Sequence, residues 1–396
     1  YAFSFIRSFF SFMTLSRSRE FILQRNLGMF FLLACILIFS LKVPEAEIYA
    51  ATDSVSYVDS ANVFIEHGGY VHLNDPETVR TWNTPFYPIF IAANILVFGE
   101  DAAIPAVLIW QMLFLFLTAW LTYRIVTPFS PTAALVAQII VLFNPNSLAT
   151  AFLIQTETLF TLILTLAVFF FFRPDRKNSL GRGALIGLLL GLGAMTRPIL
   201  FYALLVLLFI FPFLGLVSDG WKARREWLKR DVMAGIAATL AMALIVLPWV
   251  WRNHQETGVA TFVSNGGAYL WDNVSEIYQA NDNPLLAEWP SMMARSRDDA
   301  TGPALPSGEL PETVISQEMT TAALAEIRRQ PAMDLVRAEI YSVLRLYLSG
   351  GSSNVTRLFG LEPGNFAFNT FNEARTTTGL LSGVATIFKE TPGAYF

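Results

Sequence analysis

Residues 232–251, VMAGIAATLAMALIVLPWVW, run for twenty positions without a charged side chain, directly after Lys222, Arg224, Arg225, Lys229 and Arg230. A helix needs about 20 apolar residues to cross the hydrocarbon of a bilayer, and only a structure that satisfies its backbone internally survives there. This stretch therefore reads as a membrane span with a basic flank on one side. Working outward, comparable apolar runs lie at 27–43, 103–124, 131–147, 152–172, 183–196 and 198–217. The fold class they predict is an all-α polytopic membrane protein with about seven transmembrane helices. Composition agrees, since 54% of the chain is hydrophobic and only 15% charged, against roughly 25% charged in a soluble domain.

Sidedness follows from the bases. Arg173, Arg176, Lys177 and Arg182 precede the pair 183–196 and 198–217, and the five bases named above follow it. Cytoplasmic loops collect Lys and Arg, so both flanks are expected inside, with a turn outside near Thr196-Arg197-Pro198. Carrying the alternation toward the N-terminus puts 44–102 outside and Arg7, Arg17, Arg19 and Arg25 inside. The 44–102 stretch holds nine carboxylates and Arg80 as its only Lys or Arg. A net charge of -4 thus hides a sided distribution, and no nucleic-acid role follows from it.

Three segments are expected: a cytoplasmic interfacial segment over 1–26, rich in Phe; a transmembrane domain over 27–252; and an outer subdomain with a C-terminal segment over 253–396. Within the first outer loop, 52–65 has helical spacing and 86–98 is too short to span, which suits a helix lying in the interface. Residues 312–329 resume a helical pattern, and 334–348 form an amphipathic helix. Cys35 is the sole cysteine and falls in the first span, so no disulfide staples the outer segments. No cleavable signal is expected, and the opening Tyr1 points to an incomplete N-terminus.

Ionisable groups at a membrane boundary are costly to bury and so mark function. Asp53 and Asp59 follow the first span, Glu157 opens the fourth, Arg197 ends the fifth and Arg252 ends the seventh. They offer carboxylates for proton abstraction and guanidinium groups for a phosphate. Asp59, on another helical face, is expected to be solvated. His67, His72 and His254 lack the i, i+4 spacing of a helical metal site and are expected as solvated loop histidines. Asp53 and Glu157 are hard ligands that would suit a divalent cation, which leaves a metal open. Trp249, Trp251, Trp271 and Trp289 are expected as interface anchors, and Asn273 and Asn354 carry the N-glycosylation pattern.

Several short motifs share an order with a known family. Thr52-Asp53-Ser54-Val55-Ser56-Tyr57 with Ala61 and Gly68 comes first, then Arg80-Thr81-Trp82-Asn83-Thr84-Pro85-Phe86-Tyr87-Pro88 and Phe98-Gly99. Gln155-Thr156-Glu157-Thr158, Met195-Thr196-Arg197-Pro198, Leu247-Pro248-Trp249-Val250-Trp251-Arg252-Asn253 and Ala325 through Pro331 follow. Over about residues 50–350 the chain resembles the GT-C glycosyltransferases related to protein O-mannosyltransferases and to the lipid A aminoarabinose transferase.

The resemblance implies transfer of a sugar from a polyprenyl-phosphate donor to a lipid, glycan or protein acceptor on the non-cytoplasmic face of a bacterial inner membrane, with the N-terminus inside. It implies Asp53 as catalytic base and Glu157 as a second acid. Arg80, Arg197, Arg252 and Tyr57 would line the donor phosphate. Two departures stand out: Glu157 occupies a position where relatives use Asp, and relatives commonly continue with further spans where this chain ends at Phe396. A rival reading is an inactive GT-C-like subunit that scaffolds a larger membrane complex. A transporter is disfavoured, because no inverted repeat or paired broken spans are evident.

Overall fold

The computed structural model describes residues 26–33, 35–36, 53–72, 75–172, 179–204, 206, 221–288 and 311–349. Residues 26–33 and 35–36 are helical. The helices that follow are α1 (Ser54–His67), α2 (Phe86–Phe98), α3 (Glu100–Val126), α4 (Pro131–Phe143), α5 (Pro145–Ala151), α6 (Glu157–Phe172), α7 (Ser179–Thr196), α8 (Trp221–Thr257), α9 (Gly266–Ala280), α10 (Glu312–Arg329) and α11 (Ala332–Ser349). Short strands at Val71–His72 and Asp75–Val79 are the only β-structure among the described residues. The chain divides into two compact units: residues 1–73 with 84–262, and residues 74–83 with 263–396.

The first unit is the membrane part of a multi-pass integral membrane protein. Among the described residues, three helices are long and apolar enough to cross a bilayer: Glu100–Val126, Ser179–Thr196 and Val232–Thr257; the pair α4 and α5 makes four if counted as one span. That pair covers the span expected over 131–147, and it bends by 51°. Asn144 sits before Pro145, where the proline ring disfavours helical backbone; it is extended (ψ 122°), and its side chain caps Ser147 N–H at 3.0 Å. The run 152–172 is helical only from Glu157, giving 16 residues. The run 198–217 begins with a 3-10 turn over Pro198–Tyr202; most of it, much of 27–43, and the N-terminal segment 1–25 lie outside the described residues.

Packing between α7 and α8 rests on small side chains. A Cβ built on Gly183 would lie 2.2 Å from Ala234 O, and one on Gly187 would lie 2.0 Å from Ala238 O. Ala234, Ala238, Met242 and Val246 recur every fourth position and are fully buried, so one stripe of α8 seats on the glycine stripe of α7. Without a hydrophobic force between helices in lipid, such close approach supplies the van der Waals contact that holds them. Leu240, Leu244 and Leu247 on another face of α8 are exposed, the pattern of a lipid-facing surface.

In the second unit, α9 packs with α10 and α11. Trp271, Val274 and Tyr278 of α9 meet Met319 and Ala323 of α10 in its core. Gly267 lets the backbones touch, because a Cβ there would lie 2.1 Å from Ser316 O. Trp271 is therefore a core residue rather than the interface anchor expected. Asn273, next to Val274, lies within α9; Trp289 and Asn354 lie outside the described residues.

Candidate active site

The first unit gathers charged side chains around the loop between α5 and α6. Glu157 opens α6 and Arg197 follows α7, forty residues later; Arg197 Nη1 donates to Glu157 Oε1 at 2.6 Å, and the guanidinium lies 5.8 Å from the centre of the Phe160 ring. Both side chains remain more than a third exposed, so the pair adds little stability. Its consequence is orientation: the fork of Arg197 is held at a fixed place while part of it stays accessible.

Polar bonds fix the loop that delivers Glu157. Gln111, in the middle of α3 and fully buried, donates from Nε2 to Leu153 O at 2.7 Å and to Ala151 O at 3.2 Å. Its Oε1 accepts from the Tyr87 hydroxyl at 2.5 Å. Carbonyls left unpaired where α5 ends are thus satisfied by a side chain from a membrane helix. Burial foremost, then the charge of Glu157, then Tyr57, push the Tyr87 phenol well above its usual range, so it stays a neutral donor.

The first outer segment meets the same loop. Ser54 Oγ donates to Ile154 O at 2.8 Å, which brings the start of α1 beside the run leading into Glu157. Asp53, the residue before, is exposed and makes no side-chain cap hydrogen bond; its backbone carbonyl accepts from Tyr57 N–H at 3.2 Å. Tyr57 meets Tyr87 edge to face, with centroids 5.3 Å apart. Thr84 Oγ1 donates to Thr196 O at 3.1 Å, one residue before Arg197.

Arg252 occupies a separate cluster of the first unit. Its guanidinium lies 4.7 Å over the Trp249 ring and donates to Tyr70 O and to Asn253 Oδ1. Trp249 Nε1 in turn donates to Phe262 O at 3.0 Å, which makes this tryptophan an internal strut and not simply an interface anchor. Arg80 belongs to the second unit. Beside it, Thr81 N–H and Thr81 Oγ1 donate to Glu312 Oε2 at 2.7 and 3.0 Å.

His67 and His254 are exposed as expected, but none of the three histidines lies in a loop. His67 and His254 lie in the last turns of α1 and α8, and His72 lies in a strand with its Nε2 buried. Among the described residues no group of three or more His, Cys, Asp or Glu side chains could hold a metal. Sequence reading named Ser54, Thr84 and Tyr87 only as members of motifs, without these contacts, and gave Gln111 and Glu312 no role. Gln111 carried the one available signal, an amide within an apolar run, whereas the others act through partners far away in the chain.

Comparison with known proteins bears on the same region. Residues 82–251 match the family model of the dolichyl-phosphate-mannose-protein mannosyltransferases, a stretch that includes Tyr87, Gln111, Glu157 and Arg197. No curated protein matches. Two solved structures are similar: ArnT from Cupriavidus metallidurans bound to undecaprenyl phosphate, at 12% identity and a TM-score of 0.46 over 93% of this chain and 73% of that one, and ArnT from the same organism in the apo state, at 14% identity and a TM-score of 0.44 over 94% and 73%. The family model covers 170 of the 396 residues, among them the helices that carry the charged pair, and over that stretch the chain is similar to the mannosyltransferase family.

Proposed function

We propose that this protein transfers a sugar from a polyprenyl-phosphate donor to an acceptor hydroxyl on the non-cytoplasmic face of a bacterial inner membrane, with Asp53 as general base. The observation that carries the reading is the division of labour between the two acids. Glu157 is committed to Arg197, whereas the Asp53 carboxylate is exposed and has no capping role. The family description names a lipid phosphate as carrier of the sugar, and the basic flanks of the spans support the outward face.

In this mechanism Asp53 takes the acceptor proton as the new bond forms to the anomeric carbon. The bond from that carbon to the phosphate oxygen breaks, and its electron pair leaves with the polyprenyl phosphate. A guanidinium aimed at the developing charge favours that departure, and this reading gives that role to Arg197, which Glu157 holds at 2.6 Å. An apolar cavity of about 620 Å³, walled by Phe31, Leu32, Met112, Leu113 and Phe116 among others, supports the lipid half of the reading, since it matches a hydrocarbon tail.

Transfer of radiolabelled sugar from membrane-embedded polyprenyl-phosphate donors, compared between the intact protein and Asp53→Asn, tests the proposal. Loss of a general base costs about 10²- to 10⁴-fold in rate, so the variant should fall by at least ~100-fold while inserting and folding equally. Equal transfer by both removes Asp53 from the mechanism. An intact protein that transfers nothing from any polyprenyl-phosphate donor overturns the enzymatic reading in favour of a scaffold subunit.

A further inference from the structure

Helix α11 of the second unit carries two unlike faces. Ala338 and Tyr341 are buried, at 5% and 2% exposed, and Ser342 Oγ donates to Glu276 Oε2 of α9 at 2.7 Å. Near its start, Asp334 O accepts from Asn281 Nδ2 at 3.0 Å. These contacts fix how α11 is turned about its own axis. Met333, Val336, Ile340 and Val343 are thereby left 62%, 52%, 46% and 45% exposed. Steps of three, four and three residues keep these four in one stripe along the helix, on the side away from the buried pair.

Covering apolar surface is favourable by about 25 cal/mol for each Å² removed from water, so the stripe favours any partner that shields it. Two observations point to lipid. Eight residues join the span Val232–Thr257 to α9 at Gly266, a reach of at most about 30 Å, so a bilayer surface is always at hand. Arginines border the stripe as well: Arg337 flanks it, Arg328 and Arg329 close α10 just before it, and the Arg337 and Arg329 side chains are 64% and 74% exposed. An arginine stem lies along apolar surface while its head reaches outward, which suits a helix lying at headgroup level. Charge attraction is not what would hold it. Arg329 pairs with Glu326 at 3.0 Å, Arg337 with Asp334 at 3.7 Å, and Glu339 is exposed on the other edge.

We propose that α11 is an interfacial anchor: Met333, Val336, Ile340 and Val343 enter the boundary between the headgroups and acyl chains of a phospholipid bilayer, with the Arg337 head among the phosphates. A helix of this kind sinks about 5–10 Å into that boundary. The proposal goes beyond the glycosyltransferase reading and does not depend on it, because it concerns the lipid in which any multi-pass protein sits.

The test uses the full chain in nanodiscs of phosphatidylethanolamine and phosphatidylglycerol. Single cysteines are added as Val336→Cys, Ile340→Cys and, at an exposed position of α10, Gln317→Cys, each carrying an environment-sensitive fluorophore. Cys35 is buried, and the unsubstituted chain gives the labelling background. Nitroxides on the acyl chains should quench the labels of Val336→Cys and Ile340→Cys by about half at this depth, whereas iodide in the water should quench that of Gln317→Cys. The pattern should persist in 1 M NaCl, where the Debye length falls to about 3 Å. Adding Val336→Glu should lower the acyl-chain quenching of Ile340→Cys about 2-fold, since a carboxylate resists leaving water, while helix content by circular dichroism stays the same.

Iodide quenching of Val336→Cys and Ile340→Cys equal to that of Gln317→Cys overturns the proposal, for the stripe then faces water. Shielding from both quenchers overturns it too, because protein then covers the stripe, whether residues 350–396 or a second copy. Loss of the lipid quenching in salt, or its survival undiminished in Val336→Glu, removes apolar insertion as the means of attachment.

Discussion

Gln111 shows how a single side chain sets the geometry of the proposed site. An amide buried in a membrane helix is costly unless every group finds a partner, and Gln111 bonds Tyr87, Ala151 and Leu153 at once. Replacing it by Leu removes all three bonds and leaves the Tyr87 hydroxyl and two carbonyls to find others. The expected cost is about 1–3 kcal/mol for each buried group left unmade. A drop in the thermal midpoint of the purified protein should accompany a loss of sugar transfer, since the loop delivering Glu157 is released. Arg197→Lys tests the neighbouring pair. Lysine keeps the charge but not the fork, so donor KM should rise about 10-fold with folding unchanged; an unaltered KM would remove Arg197 from the donor site. At this scale the sequence showed boundary charges one at a time. Glu157 and Arg197 were each legible as ionisable groups at helix ends, whereas their pairing across forty residues depends on how α6 and α7 turn and could not be read from either motif.

Elements were more legible than contacts, because periodicity and turn residues act locally. Helices read over 52–65, 86–98, 312–329 and 334–348 correspond to Ser54–His67, Phe86–Phe98, Glu312–Arg329 and Ala332–Ser349. The break at Asn144-Pro145 was not read, although proline at a first helical position and an asparagine cap were both present; hydropathy alone runs straight across it. The glycine stripe of α7 was equally hidden, since its meaning depends on which helix faces it. That stripe yields a graded prediction. Gly187→Ala places a methyl 2.0 Å from the Ala238 carbonyl, where backbone must move, whereas Gly191→Ala meets the Ile245 side chain at 3.0 Å, which can shift. Gly187→Ala should cost about 1–3 kcal/mol as an overpacked contact and Gly191→Ala less. Thermal midpoints in detergent that fall equally for both would show that α7 and α8 separate easily.

For the whole molecule, sidedness ties the helices to the chemistry, and it rests on charge distribution. The Lys and Arg clusters at 173–182 and 222–230 are expected on the cytoplasmic side, and the acid-rich 44–102 stretch with the start of the second unit is expected opposite. Only an outward face lets Asp53, Glu157 and Arg197 meet a donor presented there. Cys35, the single cysteine of the chain, is buried, so the natural protein offers a quiet background for thiol labelling. Single cysteines placed at Asp59 and at Glu256, and one at Lys222, report the three loops in turn. In intact spheroplasts a membrane-impermeant maleimide should label Asp59→Cys and Glu256→Cys, whereas Lys222→Cys should react only after the membrane is opened. The reverse pattern would place the acidic cluster in the cytoplasm and sink the outward-facing reaction. Labelling of Asp59→Cys without Glu256→Cys would mean that the number of crossings between them is odd. The alternation read from the basic flanks would then fail at one of the intervening spans, and the bent pair α4–α5, which crosses only if its two halves count as a single span, is the place where such a failure would arise.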